Sequence, residues 1–221
     1  MSVDDTLRAS PRPPDVPVWD PVVRFGHWAL AAAFTVAYLT AEEETGSPDL
    51  LHVWGGYAVA AIVAFRVLWG FVGPQHARFS DFVRGPLAIV GYLKDLILGG
   101  GKRYLGHSPA GGAMVITLLV FLAATATSGM LAYGAQGKGP LSIAPTLVKS
   151  ASADDDENRR TVTRSGEAEG KESAIAEIHG ALANITLVLV VVHILGVGLV
   201  SLVHRENLVV AMITGRKRSI D

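Results

Sequence analysis

The sequence predicts an all-α membrane protein built as a bundle of four transmembrane helices. Three observations carry that reading. Half of the 221 residues are hydrophobic and the mean hydropathy is +0.37, too apolar for an ordinary soluble domain. Four apolar stretches approach the roughly 20 residues that a helix needs to cross lipid. Four histidines sit at the ends of, or inside, those stretches, where titratable side chains are costly and functional.

The elements follow in order. Residues 1–23, "MSVDDTLRASPRPPDVPVWDP" and onward, are polar and Pro-rich. They lack a basic segment leading into an apolar core and a small-residue cleavage site, so they read as a cytoplasmic tail rather than a signal peptide. A membrane domain over 24–208 comes next. Its first span is Phe25–Ala41 and its second Leu51–Val72. The stretch Phe79–Leu98 mixes apolar residues with Asp81, Arg84, Lys94 and Asp95, which predicts an interfacial amphipathic segment broken near Gly85-Pro86. The third span is Gly111–Gly134 and the fourth runs from about Ile175 to Val203. Between them, residues 135–174 are polar and charged, with the run Asp154–Glu157, and read as a mobile loop without a core of its own. Residues 209–221 form a basic cytoplasmic tail.

Basic residues set the orientation. The connection from Gly73 to Ala110 holds Arg78, Arg84, Lys94, Lys102 and Arg103, and the C-terminal end holds Arg205, Arg216, Lys217 and Arg218. The first connection carries Glu42, Glu43, Glu44 and no base. Both termini and the middle connection are therefore expected in the cytoplasm, in a multi-pass membrane protein. The net charge of −1 suggests no nucleic-acid partner. The absence of cysteine excludes disulfides, thiolate-held clusters and covalently attached c-type haem, so any haem is held non-covalently.

His179 and His193 are 14 residues apart on the fourth span, about 21 Å along the axis and within roughly 40° of the same face. His52 opens the second span, at the depth of His179. His27 opens the first, at the depth of His193. Two stacked pairs, His27 with His193 and His52 with His179, would hold two b-type haems, with neutral imidazole as the axial ligand. Gly55, Gly56, Gly180, Gly196 and Gly198 would leave room for flat macrocycles, although small residues also serve helix packing. Arg24 and Arg66 lie at the depth of the cytoplasmic haem and suit its propionates; Arg66 can instead snorkel to the interface. An intramembrane histidine can also serve as an interhelical hydrogen-bonding residue. His76 and His204 are expected to face water, and Trp28, Trp54 and Trp69 to form an interfacial belt.

The segments "WDPVVRFGHW", "LHVWGGY", "FRVLWG", "ARFSDFVRGP", "GHSPAGGAM", "EIHGALAN" and "HRENLVVAMITGRKR" resemble the bacterial cytochrome b561 and nickel–iron hydrogenase b-type cytochrome subunit family. The likeness spans the chain except the N-terminal tail and residues near 136–174. It implies a four-helix bundle with two b haems, ligated by His27 with His193 and by His52 with His179. Its members pass electrons between a quinone pool and a partner, often a periplasmic dehydrogenase or a cytochrome, and one branch acts alone as a superoxide oxidase. The resemblance to related formate dehydrogenase b subunits implies that His107, Ser108 and Gly112 border a quinone, with Ser108 where asparagine is usual. Ser108 before Pro109 also suits a helix N-cap.

The expected function is a di-haem electron-transfer subunit linking quinone to an external redox protein such as a periplasmic dehydrogenase or cytochrome c, with lipid as the surrounding partner and homo-oligomers left open. The runner-up is a standalone superoxide:quinone oxidoreductase, disfavoured by the acidic first connection because superoxide is an anion. A third reading is a transporter whose histidines carry protons or metal ions.

Overall fold

The structure is a computed structural model, and it describes residues 14–41, 49–142 and 157–220, with side chains left aside at Leu141 and over 157–173. Seven α-helices, two single-turn 3-10 helices at Gln75–Ala77 and Pro140–Ser142, and one small sheet make up the regular structure of the described residues. Helix α1 is Pro21–Leu39, α2 is Leu50–Val72, α3 is Phe79–Phe82, α4 is Pro86–Ile97, α5 is Pro109–Ala135, α6 is Glu157–Val203 and α7 is Leu208–Thr214. Strands β1, Asp15–Pro17, and β2, Arg216–Arg218, pair antiparallel with Val16 opposite Lys217.

Helices α1, α2 and α5, and Ala174–Val203 of α6, are long and apolar enough to cross a membrane. Within these spans only 6–22% of the residues are buried, so most of their apolar surface faces outward, towards lipid. The expected spans are present, and three of the helices start one to four residues before them. Caps explain those starts. Asp20 accepts from the backbone N–H groups of Val22 and Val23, with Pro21 at the first helical position. Asp49 accepts from the N–H of Leu51, and Ser108 from the N–H of Gly111, with Pro109 following it.

The segment after α2 breaks where expected. Helix α3 ends at Phe82 and α4 begins at Pro86, after an extended Gly85. Helix α4 buries Tyr92 and Leu96 and exposes Leu87, Val90, Leu93 and Ile97, the division of an interfacial helix.

Two expectations are corrected. The connection expected as a mobile loop over 135–174 is shorter, because α6 is helical from Glu157. Arg, Glu, Ala and Lys are good helix formers, so a polar stretch can extend a helix already nucleated in the membrane. Asp154, Asp155 and Asp156 of the acidic run lie outside the described residues. Within the segments read as tails, β1 and β2 pair and Lys217 is only 5% exposed. Finally, His76 and His204 do not simply face water. His76 Nδ1 lies 3.0 Å from Asp81 Oδ2 with both side chains about three-quarters buried, and the Nε2 of His204 is buried.

The chain divides into two compact units. One contains residues up to Phe25, Gly70–Ala113 and residues from Ile194 onward. Arg103 binds Glu206 there at 2.8 Å and also donates to the carbonyls of Ser219 and Arg218. Lys217 Nζ donates to the Tyr104 carbonyl at 2.9 Å. These bonds tie the stretch before α5 to the chain that follows α6. The other unit contains Gly26–Trp69 and Met114–His193, the bodies of the four spanning helices.

Candidate haem-ligand site

The four histidines meet in the two expected pairs, both inside the second unit. The ring centroids of His27 on α1 and His193 on α6 are 6.3 Å apart. Those of His52 on α2 and His179 on α6 are 5.9 Å apart. All four rings are partly buried. The 14-residue spacing on α6 puts one histidine of each pair on a shared helix, about 21 Å apart along its axis.

The spacing within each pair can be tested against a shared iron. Two imidazoles that shared one iron through bonds of about 2 Å each would have ring centroids about 6.4 Å apart. Both pairs lie close to that value. Among the described residues, no three His, Asp or Glu side chains converge where a bare metal ion could sit. Paired imidazoles without a third ligand suit a metal whose remaining positions are filled by a macrocycle. A Cβ added to Gly56, Gly180, Gly196 or Gly198 would meet nothing within 4 Å, so no neighbouring side chain packs against these glycines. Gly55 differs. Its Cβ would lie 3.0 Å from Ala37 Cβ, so this glycine lets α1 and α2 approach closely.

Backbone groups orient one pair. His52 Nδ1 lies 2.8 Å from the carbonyl oxygen of Ala37 on α1. His179 Nδ1 lies 3.0 Å from the carbonyl of Thr125 on α5 and 3.2 Å from Ser128 Oγ. A carbonyl can only accept, so each Nδ1 carries the proton and each Nε2 keeps a free lone pair, the form that ligates metal. A Cβ on Gly129 would sit 2.8 Å from His179 Cε1, so glycine allows that ring to lie against α5. By contrast, the Nδ1 of His27 is buried without a hydrogen-bond partner. Ala37, Thr125, Ser128 and Gly129 escaped the sequence reading. Main-chain acceptors leave no side-chain signature, although the small polar run Thr125–Gly129 is a visible departure from an apolar span.

A second layer of polar contacts lies between the same helices. Thr186 is seven residues from both His179 and His193, and its hydroxyl is 3.0 Å from that of Thr125, both buried. Tyr38 on α1 donates to Asn184 Oδ1 on α6 at 2.9 Å.

The other candidate residues have contacts of their own. Arg24 donates through Nη2 to the carbonyl of Ile213, at the end of α7, and its Nε is buried without a partner. Arg66 is half-buried on α2, fourteen residues after His52. His107 packs against Trp19 and Phe82, with ring centroids at 4.7 and 4.4 Å. Ser108 caps α5. Gly112 lies against Phe82, whose carbonyl oxygen would be 2.5 Å from an added Cβ. Capping and packing account for the observed contacts of Ser108 and Gly112.

A family model described as prokaryotic cytochrome b561 matches residues 18–215. No curated protein and no solved structure matches the chain.

Proposed function

The chain belongs to the prokaryotic cytochrome b561 family, and from that membership we propose that it holds two b haems and carries electrons across a bacterial inner membrane, between a quinone pool and an external redox protein. The family implies a membrane b-type cytochrome in electron transfer. The observation that carries the finer reading is the pairing of His27 with His193 and of His52 with His179 at near-ligand spacing. When bound, haem supplies an iron that changes by one electron without a change of ligands.

This chain's own residues do the rest. The four imidazoles fix two positions at different depths. The carbonyls of Ala37 and Thr125 hold two of the rings in the ligating tautomer. The apolar outer faces of the spans keep the site within lipid. Arg66 is suited to a propionate, because a guanidinium matches a carboxylate and its place on α2 is level with the His27–His193 pair. Quinone and a periplasmic dehydrogenase or cytochrome c enter through the family resemblance.

Charge supports an orientation with both termini in the cytoplasm. The stretches 14–25, 70–113 and 194–220 hold ten Arg and Lys, namely Arg24, five from Arg78 to Arg103 and four from Arg205 onward. Against these stand Asp15, Asp20, Asp81, Asp95 and Glu206.

The test is a reconstituted system. Purified protein in liposomes loaded with ferricyanide should reduce the enclosed acceptor when a quinol is supplied from outside, and lose that ability when His52 or His193 is replaced by Ala. Transfer that survives in both variants would reject the reading.

A further inference from the structure

The chain leaves α6 through a turn that glycine usually makes. Arg205 has a φ of 50°. The N–H of Glu206 bonds the Ser201 carbonyl at 3.0 Å and that of Arg205 the Leu202 carbonyl at 3.3 Å, the paired bonds of a Schellman motif. A Cβ makes left-handed backbone costly, so glycine is the common residue at this position. An exposed arginine stands there instead, and among the described residues no carboxylate pairs with it. Strained backbone of this kind gathers where a side chain has work to do.

Other cations gather around it. Arg205 precedes Glu206, whose carboxylate binds Arg103, and Lys102 precedes Arg103. Arg103 also donates to the carbonyl of Arg218. These links bring the backbones of Lys102, Arg205 and Arg218 to one place, and all three side chains are exposed. With Arg103, Arg216 and Lys217 they outnumber the acidic neighbours. These are Glu206, already shared by Arg103 and Lys217, and Asp15, opposite Arg218 in the strand pairing.

Apolar surface borders this excess of positive charge. Leu195, Leu199 and Leu202 form an exposed row on the last turns of α6. Val209, Val210 and Ile213 are exposed on α7. The turn at Arg205 therefore lies between two outward apolar faces, at the end of a helix long and apolar enough to cross a membrane.

From this juxtaposition we propose that Lys102, Arg205 and Arg218 bind the phosphate of an anionic phospholipid, whose acyl chains lie along Leu199 and Leu202 of α6 and the exposed side of α7. Charge complementarity selects the headgroup. A zwitterionic lipid carries its own ammonium and gains little from further cations, whereas basic residues beside a membrane helix attract anionic lipid. Continuity with the exposed leucines selects a lipid over a soluble anion, because one molecule then reaches both the cations and the apolar faces. The site does not depend on the di-haem reading.

The experiment reconstitutes the purified full-length protein in phosphatidylcholine vesicles with a trace of spin-labelled phosphatidylglycerol or spin-labelled phosphatidylcholine. Electron spin resonance reads how strongly the protein immobilises each label. Wild type should prefer the phosphatidylglycerol label by about two- to five-fold, and the preference should shrink at high salt. Arg205→Gly removes one cation and suits the left-handed turn, so this variant should melt no lower than wild type and lose most of the preference. Lys102→Gln combined with Arg218→Gln should lose it too; should that pair of changes unfold the protein, Arg205→Gly alone decides. Arg205→Lys should keep the preference. Equal immobilisation of the two labels by wild type overturns the proposal and leaves the cations to an acidic protein. A wild-type preference retained in Arg205→Gly, or in a folded double variant, also overturns it. So does a preference abolished by inorganic phosphate at fixed ionic strength, which would mark a site for a soluble anion.

Discussion

Arg103 and Glu206, 103 residues apart in sequence, meet at 2.8 Å with side chains only 16% and 10% exposed, and Lys217 approaches the same carboxylate at 3.6 Å. Burial alone would raise the Glu206 pKa. The hydrogen bond from Arg103, with the charges of Lys217 and Arg103, outweighs it and holds the carboxyl below the ordinary glutamate range. Burial lowers the Lys217 pKa, with Glu206 opposing it.

These shifts predict a pH dependence. A depressed carboxyl contributes stability that is present above its unfolded pKa and lost as pH falls through its folded value. A depressed lysine also makes stability rise with pH, but in the alkaline window between its folded and its unfolded pKa, where the unfolded chain holds more protons than the folded one, so the acid transition is that of Glu206. The β1–β2 pairing should therefore loosen on acidification below the ordinary glutamate range. Amide hydrogen-exchange protection across Arg216–Arg218 should fall there in wild type. Glu206→Gln should already be loosened at pH 7, by roughly 1–3 kcal/mol, since it leaves two cations facing each other without their anion. Protection that stays flat with pH in wild type would contradict this account.

Ser108 and Gly112 separate packing from quinone contact. Ser108→Ala removes the cap of α5 and should cost about 1 kcal/mol of stability. Gly112→Ala should cost more, about 1–3 kcal/mol, because its methyl group would press on the Phe82 backbone. Thermal unfolding in detergent measures both. The packing account expects quinone kinetics at permissive temperature to be unchanged in Ser108→Ala. A specific rise in the quinone KM at unchanged stability would assign the serine to the quinone.

The spans were legible because a run of about 20 apolar residues has few other physical outcomes. The histidine pairs were legible because His179 and His193 share a face, and an antiparallel bundle brings His52 and His27 to their depths. The acceptors of Nδ1 were not legible, because any residue offers a carbonyl and only the approach of α1 at Ala37 and of α5 at Thr125 selects these two. The β1–β2 pairing joins residues about 200 apart and leaves no local pattern. Low hydropathy over 157–173 suggested a loop, yet it reports what a helix faces rather than whether the backbone is helical.

Thr186 and Thr125 share a buried hydrogen bond between α5 and α6. Thr186→Val keeps the volume and removes the hydroxyl. Such bonds between membrane helices average about 0.6 kcal/mol, so the variant should fold, bind haem and unfold at slightly lower denaturant. A loss well above about 2 kcal/mol, or loss of haem, would show that the hydroxyl pair supports the ligands more strongly than a single hydrogen bond.

The central claim is that two independent pairs of histidines each hold one haem. The most direct measurement is the ratio of haem b to protein in wild type, His52→Ala and His193→Ala, taken from the pyridine haemochrome spectrum of purified protein. The account predicts two haems per chain with low-spin spectra in wild type and one in each variant. The haem kept in His52→Ala should be the one missing from His193→Ala. Two haems retained in either variant, or the same haem lost from both, would contradict it.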